Sequence, residues 1–121
     1  MKIEDLRIGD IIFSEYNEPF TKVDLEFLNT FDMVKCWGVP IDEKILLQCG
    51  FYKENNYTSN DNVFVKEIHF PSFFTIVEEE KGYKLCDADI YTNIIYLHEL
   101  QNLYYVLTKK ELEINIDTLE L

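Results

Sequence analysis

Apolar residues recur along this chain with two periods. From Thr21 to Phe27, Val23, Leu25 and Phe27 alternate with Lys22, Asp24 and Glu26, the period of two that one buried sheet face requires, so residues 21–27 are predicted to be a strand. Ile11-Ile12-Phe13 behind Gly9-Asp10 predicts a strand over 10–16, and Met33-Val34-Lys35-Cys36-Trp37, closed by Gly38 and Pro40, predicts another. Val63–Phe70, Phe73–Val77 and Tyr83–Cys86 are three more strand-like runs, with Phe70, Phe73 and Phe74 assigned to the core. Pro71-Ser72 and Glu80-Lys81-Gly82 suit the turns of an antiparallel meander. Glu111-Leu112-Glu113-Ile114-Asn115-Ile116 alternates again and predicts a closing strand with an anionic outer face.

Two segments carry helical signals. Asp42 can cap a short helix over 42–49, Glu43 suits the positive end of its dipole, and Gly50 followed by Phe51 fits a Schellman ending packed on Leu46. Tyr96, Leu100, Leu103 and Leu107 recur at spacings of 4, 3 and 4, so a helix is predicted from about Ile94 to Leu107, capped by Asn93, with Glu99, Gln101 and Asn102 off its apolar stripe. Between the two lies a polar loop, 55–62. Segregated strands and helices predict a single α+β domain spanning 1–121, a mostly antiparallel sheet of six to seven strands with one short and one longer helix.

Charge changes the picture most. The 121 residues hold 23 acidic and 11 basic groups, a formal charge of −12 at pH 7. Phosphate neutralisation by Lys and Arg supplies most nucleic-acid affinity, so unaided binding to DNA or RNA is not expected, and anionic membranes repel such a chain. Three widely spaced cysteines, Cys36, Cys49 and Cys86, form no C-x-x-C pair and point to a reducing setting. The start, Met1-Lys2-Ile3-Glu4-Asp5, lacks the basic and then apolar stretch of a signal peptide, so a cytoplasmic location is expected.

Candidate chemistry is sparse. His69 and His98 are the only histidines; with Cys36 and Cys86 they match no zinc spacing, and no cofactor motif is present. Ser14, Ser59 and Ser72 lie in no G-x-S-x-G elbow. Asp87-Ala88-Asp89 pairs two carboxylates, as 23 acids in 121 residues do by chance. Glu78-Glu79-Glu80 and the tail Glu111, Glu113, Asp117 and Glu120 are the dense acidic spots. Tyr16, Tyr52, Tyr57, Tyr91 and Tyr105 are expected near exposed faces, where tyrosine serves as an interface anchor.

The stretch Leu97-His98-Glu99-Leu100-Gln101-Asn102-Leu103-Tyr104-Tyr105-Val106-Leu107-Thr108-Lys109-Lys110-Glu111-Leu112 resembles a family of small bacterial and prophage proteins that end in a similar His-x-Leu-Gln-Asn-Leu-Tyr helix followed by Leu-Thr and Glu-Leu. Leu6-Arg7-Ile8-Gly9-Asp10 is similar to the family's opening, and Pro40 to Phe51 to its middle helix. Lys109 stands where that family often has Gly, and Glu99 where it often has Gln. The resemblance implies a mobile-DNA context and no catalytic residue. In length, charge and lack of a catalytic motif the chain also resembles anti-CRISPR inhibitors. That likeness implies a non-enzymatic, nucleic-acid-mimicking protein that blocks a host nuclease, such as an RNA-guided CRISPR effector, at its basic guide or target channel. Glu78, Glu79, Glu80, Glu111 and Glu113, with Tyr105, are its expected partner-binding residues. The alternatives are a prophage protein-binding module with no inhibitory role and, behind it, a small hydrolase using His98 with Asp87 or Asp89.

Overall fold

The computed structural model describes residues 2–15, 20–31, 35–54, 62–69, 72–80, 82–87, 90–115 and 119; for His69, Ser72, Asp87, Ile90 and Tyr91 it describes the backbone alone. The fold is mixed α+β. Among the described residues there are three α-helices and eight strands, arranged in two antiparallel sheets. Two compact units are formed, Met1–Pro40 with Tyr96–Leu121, and Ile41–Ile95.

The first unit begins with a short 3-10 turn, Ile3–Asp5, and holds a sheet of order β2-β1-β3, with β1 at Ile11–Ser14, β2 at Phe20–Lys22 and β3 at Cys36–Gly38. The strand predicted over 21–27 stops at Lys22. Asp24 turns the chain into α1, Leu25–Asn29, because its Oδ1 accepts the Phe27 amide at 2.8 Å. An N-cap bond satisfies an amide that helix geometry leaves open, and here it overrides the alternating pattern. Leu25 is consequently 68% exposed, while Ile12, Val23 and Phe27 form a buried cluster.

The long helix, α3, spans Leu97–Thr108, so Asn93 is not its cap. Tyr96 is the cap residue, and its amide donates to Glu99 Oε1 at 2.8 Å. The buried face runs through Leu97, Leu100, Gln101 and Tyr104, a rotation from the predicted stripe, in which Tyr96 is 37% exposed. Gln101, expected outside, is buried because its carboxamide accepts the Ile11 amide at 2.7 Å and donates to the Gly9 carbonyl at 3.0 Å. After the helix, Glu111–Asn115 joins no sheet; the alternation there is met by burial of Leu112 alone, with Ile114 half-buried, and Ile116 lies outside the described residues. Lys109, the residue after the helix, adopts a left-handed φ of 63°, the conformation that Gly takes without steric cost.

The second unit is the predicted meander, extended at both edges. Its order is β4-β5-β6-β7-β8, from Tyr52–Glu54, Asn62–His69, Ser72–Glu79, Gly82–Asp87 and Ile90–Ile94. Period two on β6 buries Phe74 and Ile76 and turns Phe73 to the opposite face, 38% exposed, against the core assignment. Helix α2, Glu43–Gln48, forms as expected: Asp42 Oδ1 accepts the Ile45 amide at 2.9 Å. The Gly50 and Phe51 amides return to the Leu47 and Leu46 carbonyls, both at 3.1 Å, completing the Schellman motif at a Gly50 φ of 91°. Lys66 of β5 donates to the Cys49 carbonyl at 2.8 Å and places a cation at the negative helix end.

Replacing Gln101 by Leu keeps the volume but strands the Ile11 amide and the Gly9 carbonyl. Each orphan left without a partner costs about 1–3 kcal/mol, so urea unfolding of Gln101→Leu is expected to show a loss of about 2–6 kcal/mol; unchanged stability would mean that neither group needs the carboxamide.

Candidate functional site

The first unit carries a cleft of about 460 Å³, within the range of sites that hold small molecules or peptide side chains. One wall comes from Asp5 in the 3-10 turn and from Trp37 and Gly38 at the end of β3. The other comes from Tyr96, His98, Glu99 and Asn102 at the start of α3. Two backbone contacts and one side chain fix the walls together: the Leu97 amide donates to the Val39 carbonyl at 2.8 Å, Pro40 bridges to Tyr96, and Asn102 Nδ2 donates to the Asp5 carbonyl at 3.2 Å.

Tyr96 lies flat on the His98 ring, with centroids 5.7 Å apart and an interplanar angle of 11°. Gly38 makes that placement possible, because a Cβ on residue 38 would meet the Tyr96 ring carbons at 2.5 Å. His98 is 5% exposed, and its Nδ1 makes no hydrogen bond among the described residues. Burial lowers the His98 pKa against the opposing pull of Glu99 and Asp5, which favours the neutral imidazole. A histidine base of the triad kind has a carboxylate on Nδ1, and His98 has none among the described residues. The side chain of Asp87, and all of Asp89, lie outside the described residues. Nor do three His, Cys, Asp or Glu groups gather as a metal site among the described residues.

Beside the cleft, the Arg7 guanidinium grips Glu111 through both carboxylate oxygens, reaches Asn102 Oδ1 through Nε at 3.1 Å and lies 4.4 Å over the Tyr105 ring. Glu111 is thereby held below its ordinary pKa. Two of the expected partner-binding residues, Glu111 and Tyr105, thus hold Arg7 within the first unit. Glu113 is exposed. In the second unit Glu78 accepts from Asn62 Nδ2 at 2.7 Å and from the Tyr83 hydroxyl at 3.1 Å, whereas Glu79 and Glu80 are exposed at the β6–β7 turn. Tyr52 is 48% exposed as expected; Tyr16 and Tyr57 lie outside the described residues, as does the Tyr91 side chain. The cleft residues Asp5, Trp37, Tyr96 and Asn102 went unselected in the sequence. The signal available was the only tryptophan of the chain standing next to one of four glycines. Comparison with protein-family models, with curated proteins and with solved structures returns no match.

Two predictions concern this unit. In Gly38→Ala the Tyr96 ring must move, so the urea midpoint falls by an amount worth about 1–3 kcal/mol and the Trp37 emission shifts; wild-type values for both would show that the ring yields freely. Asp10 of the same unit is fully buried, its Oδ2 accepts the Arg7 amide at 2.8 Å, and its Oδ1 makes no hydrogen bond among the described residues. Burial pushes its pKa from 3.8 up to about 6. Because the folded value is the higher, the stability linked to the protonated acid is full below 3.8 and is lost as pH rises through about 6. Relative to wild type, Asp10→Asn is therefore expected to gain about 2 kcal/mol between pH 4 and pH 7; a difference that stays flat with pH in chemical denaturation would refute the burial of the charge.

Proposed function

We infer that this chain is a non-enzymatic acidic interaction protein that captures a partner through the partner's basic surface. The observation that carries the reading is the charge itself: 23 acids against 11 bases leave 12 carboxylates with no cation of the chain to neutralise them, however the pairs are drawn. Such a field steers encounters with positive surfaces and rejects negative ones. In a cell the most extensive positive surfaces on proteins are nucleic-acid channels. Together with the resemblance to anti-CRISPR proteins, this makes a host defence nuclease of the RNA-guided type the favoured partner, and occupation of its guide or target channel the favoured mode of inhibition.

Glu79 and Glu80 are the best-supported contact residues, because both are exposed and adjacent at the end of β6. Glu78 is better placed to hold Asn62 and Tyr83, so its reversal would disturb β5 and β7. The tagged protein, recovered from its host, is expected to retain a basic protein near 0.15 M salt and release most of it by about 1 M, where screening falls to about 3 Å. Glu79→Lys with Glu80→Lys is expected to weaken that capture at least about tenfold, or about 1.4 kcal/mol, with unfolding unchanged. Capture that ignores both salt and reversal overturns the reading. Capture without loss of the partner's nuclease activity selects the non-inhibitory binding module.

A further inference from the structure

We propose that the cleft between Trp37 and the start of α3 is a receptor for an arginine side chain of a partner protein, its guanidinium lying on the indole of Trp37 and donating to the carboxylates of Asp5 and Glu99. The proposal rests on the reading of the chain as a binder of basic partners and adds to it the residue type that is read and the place where it is read.

Four observations converge. First, Trp37 is 51% exposed, although it is the only tryptophan of the chain. An indole face is the strongest aromatic partner for a cation, and an exposed indole at a cleft mouth is a prepared anchor. Second, among the described residues the ionisable groups lining the cleft are Asp5, Glu99 and His98, together with the Tyr96 phenol, and neither Lys nor Arg is among them. The nearby Arg7 is already bound to Glu111. Third, the α3 wall presents a flat pair of rings, since Tyr96 and His98 are stacked within 11° of parallel, and burial favours the neutral form of His98. Fourth, the volume of about 460 Å³ leaves room for a long side chain and part of the peptide that carries it.

The start of a helix favours anions, with an effective charge of about +0.5. Glu99 already stands at that end, accepting the Tyr96 amide, and with Asp5 it brings a charge of −2 to the cleft. Among the described residues that line the cleft the balance is negative, which favours a cation. Guanidinium is favoured over ammonium because it is planar, stacks on an indole, and carries five donors in a fork that can address two carboxylates at once. An ammonium presents a point charge with a larger hydration cost.

The single tryptophan makes the test direct. Trp37 fluorescence is titrated with a tetra-arginine peptide and with a tetra-lysine peptide at about 0.15 M salt, where charges farther apart than about 8 Å are screened. The expected result is a saturable emission change with arginine that is at least about tenfold tighter than with lysine. Asp5→Asn with Glu99→Gln is the decisive variant. Each amide oxygen can still accept the backbone amide now taken by the acid, from Lys2 at 3.0 Å and from Tyr96 at 2.8 Å, so the fold is preserved while two charges go. Arginine binding is expected to weaken at least about tenfold. Glu79→Lys with Glu80→Lys changes the net charge by four, from −12 to −8, against two for the amide pair, from −12 to −10. Yet it should weaken arginine binding by less than about threefold, because those residues do not line the cleft.

If the lysine reversal weakens peptide binding more than the amide pair does, long-range charge alone accounts for it and the cleft is no receptor. Equal affinity for the two peptides, or no emission change, also overturns the proposal. Neither outcome touches the salt-sensitive capture of a basic partner, which is read in a separate assay with the lysine reversal.

Discussion

In the first unit, packing of α3 on the sheet depends on the buried carboxamide of Gln101. It accepts from Ile11 and donates to Gly9, so one side chain satisfies a donor and an acceptor on a segment 90 residues away. An acid would leave the Gly9 carbonyl without a donor, and an aliphatic residue would leave both groups open; a neutral amide alone supplies both functions without a charge. Around that bond the N-terminal turn is held down further: Arg7 binds Asn102 on α3 and Glu111 beyond it, and the Asp5 carbonyl takes the other end of the Asn102 amide. Asn102 is itself a wall of the cleft. The network that joins the two ends of the sequence therefore also sets the distance between Asp5 and α3 across the site.

Local chemistry in the sequence identified much of the architecture. The Schellman ending at Gly50, the Asp42 cap and the antiparallel pairing of the meander strands depend on residues close to each other in the chain, and they stand as expected. Where the reading failed, a nonlocal or a stronger local bond won. The alternation of 21–27 is sound as a pattern, but one carboxylate at Asp24 meeting the Phe27 amide converts its second half into helix. Gln101 reads as a surface residue because nothing near it in sequence announces the Ile11 amide. The stripe on α3 was set one position off because Tyr96, though apolar in bulk, lies outside the helix and rests on His98.

The same limit applies to the site. Acid density drew attention to Glu78 and Glu111, and both turn out to hold neighbours within their own units. A cleft assembled from a 3-10 turn, a strand end and a helix start has no signature along the chain, since its parts are separated by 32 residues between Asp5 and Trp37 and by 59 between Trp37 and Tyr96. What the sequence does carry is the choice of residue types: a lone indole, a glycine that clears space for a ring, and acids short enough to cap backbone amides.

Those acids show why net charge by itself is a poor map of a binding surface. Asp24 and Asp42 are occupied at helix starts, Glu43 and Glu111 answer Lys53 and Arg7, and each such contact aims a carboxylate inward or sideways. At exposed positions these contacts contribute little to stability, about 1 kcal/mol or less for a surface pair. Their larger effect is on direction, because a carboxylate fixed by a backbone amide cannot swing away from an approaching cation and loses little rotamer freedom on binding it. Asp5 and Glu99 are fixed in that way, each by an amide on its own segment, and both line the cleft. An acidic chain gains selectivity from carboxylates immobilised next to an aromatic face, and this unit has two of them beside its tryptophan.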